Sequence, residues 1–170
     1  IGSIVKPVLY LQALSRPAQF SLATVLDDSP ISLRTSQGPW APKNFDKKFR
    51  GNVTLLQSLS ESLNVPTVRL GLMLGLPALK TGLQQLGLER DVKLQPSAFL
   101  GAVELTPAEV AQMYQTIANK GKYQQLAAIE AITGPQSQAV YQRRNIVQQR
   151  VTEEADYLLQ YAMQQSTRSG

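Results

Sequence analysis

The 170-residue chain contains no histidine and no cysteine. Without imidazole or thiolate, a Ser-His-Asp triad, a cysteine nucleophile, a zinc finger, a His-ligated metal and an internal disulfide are all excluded. A nucleophile in this chain has to be Ser, Thr, Tyr, Lys or a carboxylate. Aromatic residues are scarce, at 6% of the chain, and no stretch approaches the roughly 20 apolar residues of a membrane-spanning helix. No signal peptide and no phosphate-binding glycine-rich loop is recognisable. The lack of cysteine leaves the compartment open, because a domain of this size needs no disulfide staple. What the chain does have is 43% hydrophobic residues, enough for the packed core of one domain. Seventeen Lys and Arg against twelve Asp and Glu give a formal charge of +5, but the cations are dispersed. The densest groups, Lys47-Lys48-Arg50 and Arg143-Arg144, carry no interleaved aromatics, so they read as solvated surface and no nucleic acid is expected.

Ser3 to Leu14 is predicted to be a helix with its apolar residues on one face and Pro7 in the first turn, where proline is tolerated. Ser3 then stands at the helix N-terminus. From Ser15 to Asn52 the periodicity fades among Pro17, Asp27-Asp28, Pro30, Gly38-Pro39, Pro42 and Gly51, with one short strand expected near Phe20 to Leu26. Irregular stretches this long tend to wall a site. Helical spacing returns at Leu55, Leu56, Leu59 and Leu63 and is predicted to stop at Asn64-Val65-Pro66, because the residue before a proline disfavours the helical region. Pro66 then opens a helix over Thr67 to Leu74, and Ala78 to Leu86 forms another after Gly75-Leu76-Pro77. Thr106-Pro107-Ala108-Glu109 is a capping box, followed by Val110, Met113, Tyr114 and Ile117 on one face and a stop at Gly121. Ala128 to Thr133 and Ala139 to Gln142 have the look of a hairpin around Gly134-Pro135-Gln136-Ser137, and Thr152 caps a last helix through Gln165.

With histidine absent, serine chemistry needs another base, and Ser3-x-x-Lys6 offers one. Side chains three residues apart on a helix share a face, which places the Lys6 amine to reach the Ser3 hydroxyl. Unpaired N–H groups and the positive dipole end of a helix N-terminus also favour a developing oxyanion nearby. To act as a base, Lys6 must be neutral, which requires burial or a neighbouring cation. The spacing by itself is weak: about 0.6 such pairs arise by chance in a chain of this composition, so a capping serine and a solvated lysine would win on that count alone. Ser62-Leu63-Asn64 is as cheap, at about 0.4 expected, and its plain reading is an ordinary helix end.

Context changes that weighting. Gly2-Ser3-x-x-Lys6-Pro7, Trp40-x-Pro42-x-Asn44, Gly51-x-Val53-Thr54-Leu55, Ser62-Leu63-Asn64-Val65-Pro66-Thr67-Val68 and Leu105-Thr106-Pro107-Ala108-Glu109-Val110-Ala111 follow one another through nearly the whole chain. In their order and spacing the chain resembles the transpeptidase domain of class A penicillin-binding proteins, and most closely the Gram-negative 1b type. The resemblance implies a mostly α (α+β) architecture: the helical region and a small hairpin of the penicillin-binding protein and serine β-lactamase fold, with most of the central antiparallel sheet outside this chain. It implies that Ser3 is the nucleophile toward the penultimate D-alanine carbonyl of a peptidoglycan stem peptide, that Lys6 activates it, that Ser62 relays a proton, and that Asn64 donates its amide to the substrate backbone. The implied partners are stem peptides ending in D-alanyl-D-alanine, β-lactams as covalent inhibitors at Ser3, and the remainder of the same protein, at the periplasmic face of the inner membrane. No metal or cofactor is implied.

Lys80-Thr81-Gly82 matches the family's third motif and only about 0.03 copies are expected by chance, yet it is rejected. It follows Asn64 by only sixteen residues and sits among Leu76, Leu79, Leu83 and Leu86 at helical spacing, whereas the family motif lies on a strand after the last helix. A helix surface is expected there instead. The resemblance then implies that residues 1–170 are a partial transpeptidase domain, running from the nucleophile helix to just before the Lys-Thr-Gly strand. That strand is expected shortly after Gly170, a glycosyltransferase domain and membrane anchor are expected outside the chain, and such a fragment is expected to be inactive alone. Two other functions compete. A serine β-lactamase would need a positioned carboxylate, for which only Glu104 stands in a suitable stretch, and Leu105-Thr106-Pro107 makes it the approach to a capped helix. The other is a non-catalytic sensor that binds β-lactams or peptidoglycan. Trp40 is read as pinning a loop, and Tyr10, Tyr114, Tyr157 and Tyr161 as core or boundary residues. Asp27-Asp28 and Glu153-Glu154 are given no acid–base role.

Overall fold

The computed structural model describes residues 1–35 and 38–169. The first predicted helix divides in two: a 3₁₀ turn, Gly2–Val5, runs into helix α1, Lys6–Leu14, with Pro7 in its first turn. Five helices follow: α2 (Leu55–Ser60), α3 (Asn64–Leu74), α4 (Leu76–Gln85), α5 (Pro107–Ala118) and α6 (Glu153–Ser169). A second 3₁₀ turn, Pro96–Leu100, lies between α4 and α5. Among the described residues the strands are β1 (Val25–Asp28), β2 (Leu33–Thr35), β3 (Gly38–Trp40), β4 (Gly51–Thr54), β5 (Lys122–Gln124), β6 (Ala131–Thr133), β7 (Ala139–Gln142) and β8 (Val147–Gln149). They pair antiparallel as β1 with β4, β2 with β3, β5 with β8 and β6 with β7.

The single strand expected near Phe20 to Leu26 is thus β1, three residues long of that range, and β2 to β4 were not expected. Strands of three or four residues are too short to show a period, and their partners set them: Val25 faces Thr54 and Asp28 faces Gly51. Thr54 then turns strand into helix, its hydroxyl accepting the Gln57 N–H at 3.1 Å. The predicted hairpin is present as β6–β7. The capping box closes as predicted, with the Thr106 hydroxyl accepting the Glu109 N–H at 3.2 Å and Glu109 Oε2 accepting the Thr106 N–H at 2.7 Å. Thr152 caps α6 through the Ala155 N–H, and α6 continues past Gln165 to Ser169.

Helix α1 does not have one apolar face: all nine of its residues are buried. A helix covered on every side must be surrounded, and α2, α3, α4 and α6 all pack on it. Leu9, Leu11 and Leu14 join Leu79, Leu83, Leu86, Leu159 and Ala162 in one core, where full burial of a leucine contributes about 1.5–3 kcal/mol. Helix α4 comes close at Gly82, where a Cβ would stand 2.8 Å from Val8 Cγ1. Lys80-Thr81-Gly82 therefore belongs to a helix–helix contact, with Lys80 ion-paired to Asp91 at 2.5 Å, as the rejection of that motif required. Helix α6 turns Ala155, Leu159 and Ala162 inward, so Tyr157 and Tyr161, expected at core or boundary positions, are exposed instead. Among the described residues no helix is long and apolar enough to cross a membrane.

Candidate active site

The site is built at a break between two helices. Helix α2 stops at Ser60, four residues before the predicted end, because Ser62 adopts a left-handed conformation with φ +53°. The Leu63 N–H bonds to Ser58 O at 2.9 Å and the Ser62 N–H to Leu59 O at 3.0 Å, the Schellman pattern in which the left-handed residue is usually glycine. Helix α3 then starts at Asn64, so Val65 is helical despite preceding Pro66, whose missing N–H is harmless in a first turn. Only extended Leu63 separates the helices, leaving Ser62 and Asn64 on either side of it.

Lys6 reaches this break from α1. Its Nζ donates to Ser62 O at 2.6 Å, Ser62 Oγ at 3.0 Å and Asn64 Oδ1 at 2.8 Å, which occupies all three donors of an ammonium. It forms no ion pair among the described residues, and burial alone lowers its pKa from 10.5 to about 8. The Ser3 hydroxyl, exposed on the 3₁₀ turn that leads into Lys6, makes no hydrogen bond among the described residues. The structure thus brings Lys6, Ser62 and Asn64 together, while the predicted approach of Lys6 to Ser3 is not a hydrogen bond. Glu104 is exposed and makes no hydrogen bond to Ser3 or Lys6 among the described residues.

Several residues that hold the site were not foreseen. The Ser3 turn is clasped by a Gly2 N–H bond to Gly101 O at 3.2 Å and by the Tyr114 hydroxyl, which donates to Ile4 O at 3.0 Å. Gly101 has φ +94°, and a Cβ there would lie 2.1 Å from Gly2 O. The same 3₁₀ segment presses Phe99 against α3, where a Cβ on Gly71 would stand 2.4 Å from the ring. Behind the site the buried Tyr10 hydroxyl joins Ser58 Oγ at 2.5 Å and Thr67 Oγ1 at 2.9 Å, tying α1, α2 and α3 together. Burial raises its pKa to about 12, which keeps it a neutral hydroxyl.

The N-terminus of α3 is held from a distance. Asn44, 3% exposed, accepts the Asn64 N–H at 2.9 Å and the Val65 N–H at 3.1 Å through Oδ1. Its Nδ2 donates to both oxygens of the fully buried Asp28, at 2.8 and 2.9 Å, and to Lys48 O at 2.8 Å. Asn64 Nδ2 donates to Lys43 O at 2.8 Å. Asn44 stood within a recognised motif, but only the chain's return over twenty residues shows what it touches.

Comparison with known proteins places this arrangement. The description "Penicillin binding protein transpeptidase domain" matches residues 1–170. The chain is 44% identical over 172 residues to penicillin-binding protein 1B of Vibrio cholerae, covering all of this chain and 22% of that protein. It is 41% identical over 174 residues to penicillin-binding protein 1B of Escherichia coli K12, covering all of this chain and 21% of that one. The chain therefore spans about a fifth of the length of these curated relatives. Among solved structures, penicillin-binding protein 1A of Haemophilus influenzae superposes with a TM-score of 0.91 at 24% identity, over 100% of this chain and 30% of that one. Penicillin-binding protein A of Mycobacterium tuberculosis, solved as an imipenem acyl-enzyme complex, superposes with a TM-score of 0.81 at 21% identity, over 99% of this chain and 44% of that one.

Proposed function

The chain belongs to the penicillin-binding protein transpeptidase family, whose fold it has, and from that premise we propose that it carries the acyl-transfer residues of a peptidoglycan D,D-transpeptidase. The observation that carries the reading is the Lys6 amine bonded to Ser62 and Asn64 one turn from the exposed Ser3 hydroxyl. Ser3 Oγ bonds to the carbonyl carbon of the penultimate D-alanine, and the C–N bond to the terminal D-alanine breaks. Lys6 in its neutral form takes the serine proton, and Ser62 passes it to the departing amine. Asn64 has one amide hydrogen on Lys43 O and offers the other to the substrate backbone. An amine from a neighbouring stem peptide next attacks the ester carbon. The Ser3 oxygen leaves, recovers a proton from that amine through the same groups, and the new amide is the cross-link.

A β-lactam presents a carbonyl of the same kind and acylates the same oxygen, as imipenem does in the Mycobacterium tuberculosis relative. The reading places the domain at the periplasmic face of the inner membrane, where its stem-peptide substrate lies. Its test is labelling of the full-length protein with a fluorescent penicillin, the adduct being located by peptide mass mapping. A long-lived adduct on Ser3, absent from Ser3→Ala, is expected. Label retained by Ser3→Ala would overturn the assignment, and rapid penicillin hydrolysis would make the protein a β-lactamase instead.

A further inference from the structure

Helix α3 opens with N–H groups that have no partner inside the helix, and its N-cap residue is Leu63, which has no side-chain oxygen to offer them. The partner comes from Asn44, which takes the N–H groups of Asn64 and Val65. A side-chain amide can face either way, and only one face serves α3. Asp28 selects that face, because an ionised carboxylate can only accept, so it draws the NH₂ of Asn44 toward itself and turns Oδ1 toward α3. Asp28 is in turn held by the Arg50 N–H at 3.0 Å, with the Arg50 guanidinium at 3.9 Å. The neighbouring carbonyl of Lys43 takes the Asn64 side-chain NH₂, which leaves Asn64 Oδ1 for Lys6.

We propose that Asp28 and Asn44 are a positioning pair for the acyl transfer: they fix the backbone and amide of Asn64, and through Asn64 the direction of the Lys6 amine. This rests on the transpeptidase reading. Neither residue touches substrate in it. The pair acts by denying Asn64 the choice of turning its NH₂ toward Lys6, which would put donor against donor and release the lysine from one of its three acceptors.

The experiment uses the full-length protein and the rate of acylation by a fluorescent penicillin, measured against pH and normalised to the folded fraction by circular dichroism. Asp28→Asn frees Asn44 to turn over, and Asn44→Asp sets two carboxylates against each other. Each is expected to slow acylation about tenfold or more. In Asp28→Asn the midpoint of the rate against pH also moves down, because the Lys6 ammonium loses a hydrogen-bond acceptor. Combining the two substitutions reverses donor and acceptor: the residue at 44 still accepts from α3 and the residue at 28 donates to it. This swapped protein is expected to acylate within about threefold of wild type.

Folded single variants with the wild-type rate and midpoint would overturn the proposal. If the single variants do not fold, the swapped protein decides, and its failure to fold or to acylate overturns the proposal equally. Should Ser3→Ala keep its label, the transpeptidase reading fails whatever these variants do.

Discussion

Three acceptors around one amine hold a cation well, and a base must give up one of those bonds before it can work. Lys6 meets this by burial, which brings its pKa down to about 8, so that roughly one molecule in ten carries the neutral amine at pH 7. The acylation rate of the full-length protein is therefore expected to rise with pH and level off above about 8, with a midpoint set by Lys6. Lys6→Arg keeps the charge and the donors but cannot release a proton, and stopped-flow labelling should find it unreactive across that range. The sign for stability follows from the same shift. The cost of burying the ammonium is present in full below pH 8 and disappears between 8 and 10.5, where the unfolded chain binds more protons than the folded one. Ser3, Lys6, Ser62 and Asn64 were legible because they stand in motifs with a fixed local spacing. Tyr114 was read only as a core or boundary residue, since no spacing announces a hydroxyl that reaches from α5 to Ile4.

At the scale of elements, the junction of α2 and α3 depends on one residue in a conformation that serine adopts at a cost of about 1 kcal/mol. Ser62→Ala and Ser62→Gly both remove the hydroxyl, yet only glycine removes the strain. Ser62→Gly is expected to be the more stable of the two by about 1 kcal/mol, or about 2–4 °C in thermal midpoint. Both are expected to lose most acylation, and equal thermal midpoints would show that the left-handed turn carries no strain. This break was misread by four residues because the usual announcer, glycine or asparagine, is absent from position 62 and a conspicuous proline follows at 66. Where the physics is contained in four residues, as in the box from Thr106 to Glu109, the sequence reading and the structure agree. Where it lies in pairing across distance, as for β1 with β4, a sequence window holds only half of the information.

At the scale of the whole molecule, the mostly helical architecture was legible from periodic leucines and the order of the motifs, but the central place of α1 was not, because being enclosed depends on every other element at once. The same enclosure leaves a carboxyl exposed to a test. Asp156 on α6 is 1% exposed, its Oδ2 accepts from Gln160 Nε2 at 2.6 Å, and its Oδ1 has no partner among the described residues. Burial raises its pKa from 3.8 to about 6. Its contribution to stability is complete below about pH 4 and is lost as pH rises through 6, since the folded state keeps the proton longer. Asp156→Asn should therefore raise the thermal midpoint at pH 7 and leave it nearly unchanged at pH 4, and an equal effect at both would show that the carboxyl does not titrate as described. The enclosure of α1 also separates two ways of weakening the protein in a cell. A helix with no exposed residue opens only when the whole core opens, so a distant core substitution lowers the number of competent molecules and leaves the turnover of each survivor intact. Substitutions at the α2–α3 break do the reverse: they leave abundance alone and slow every copy.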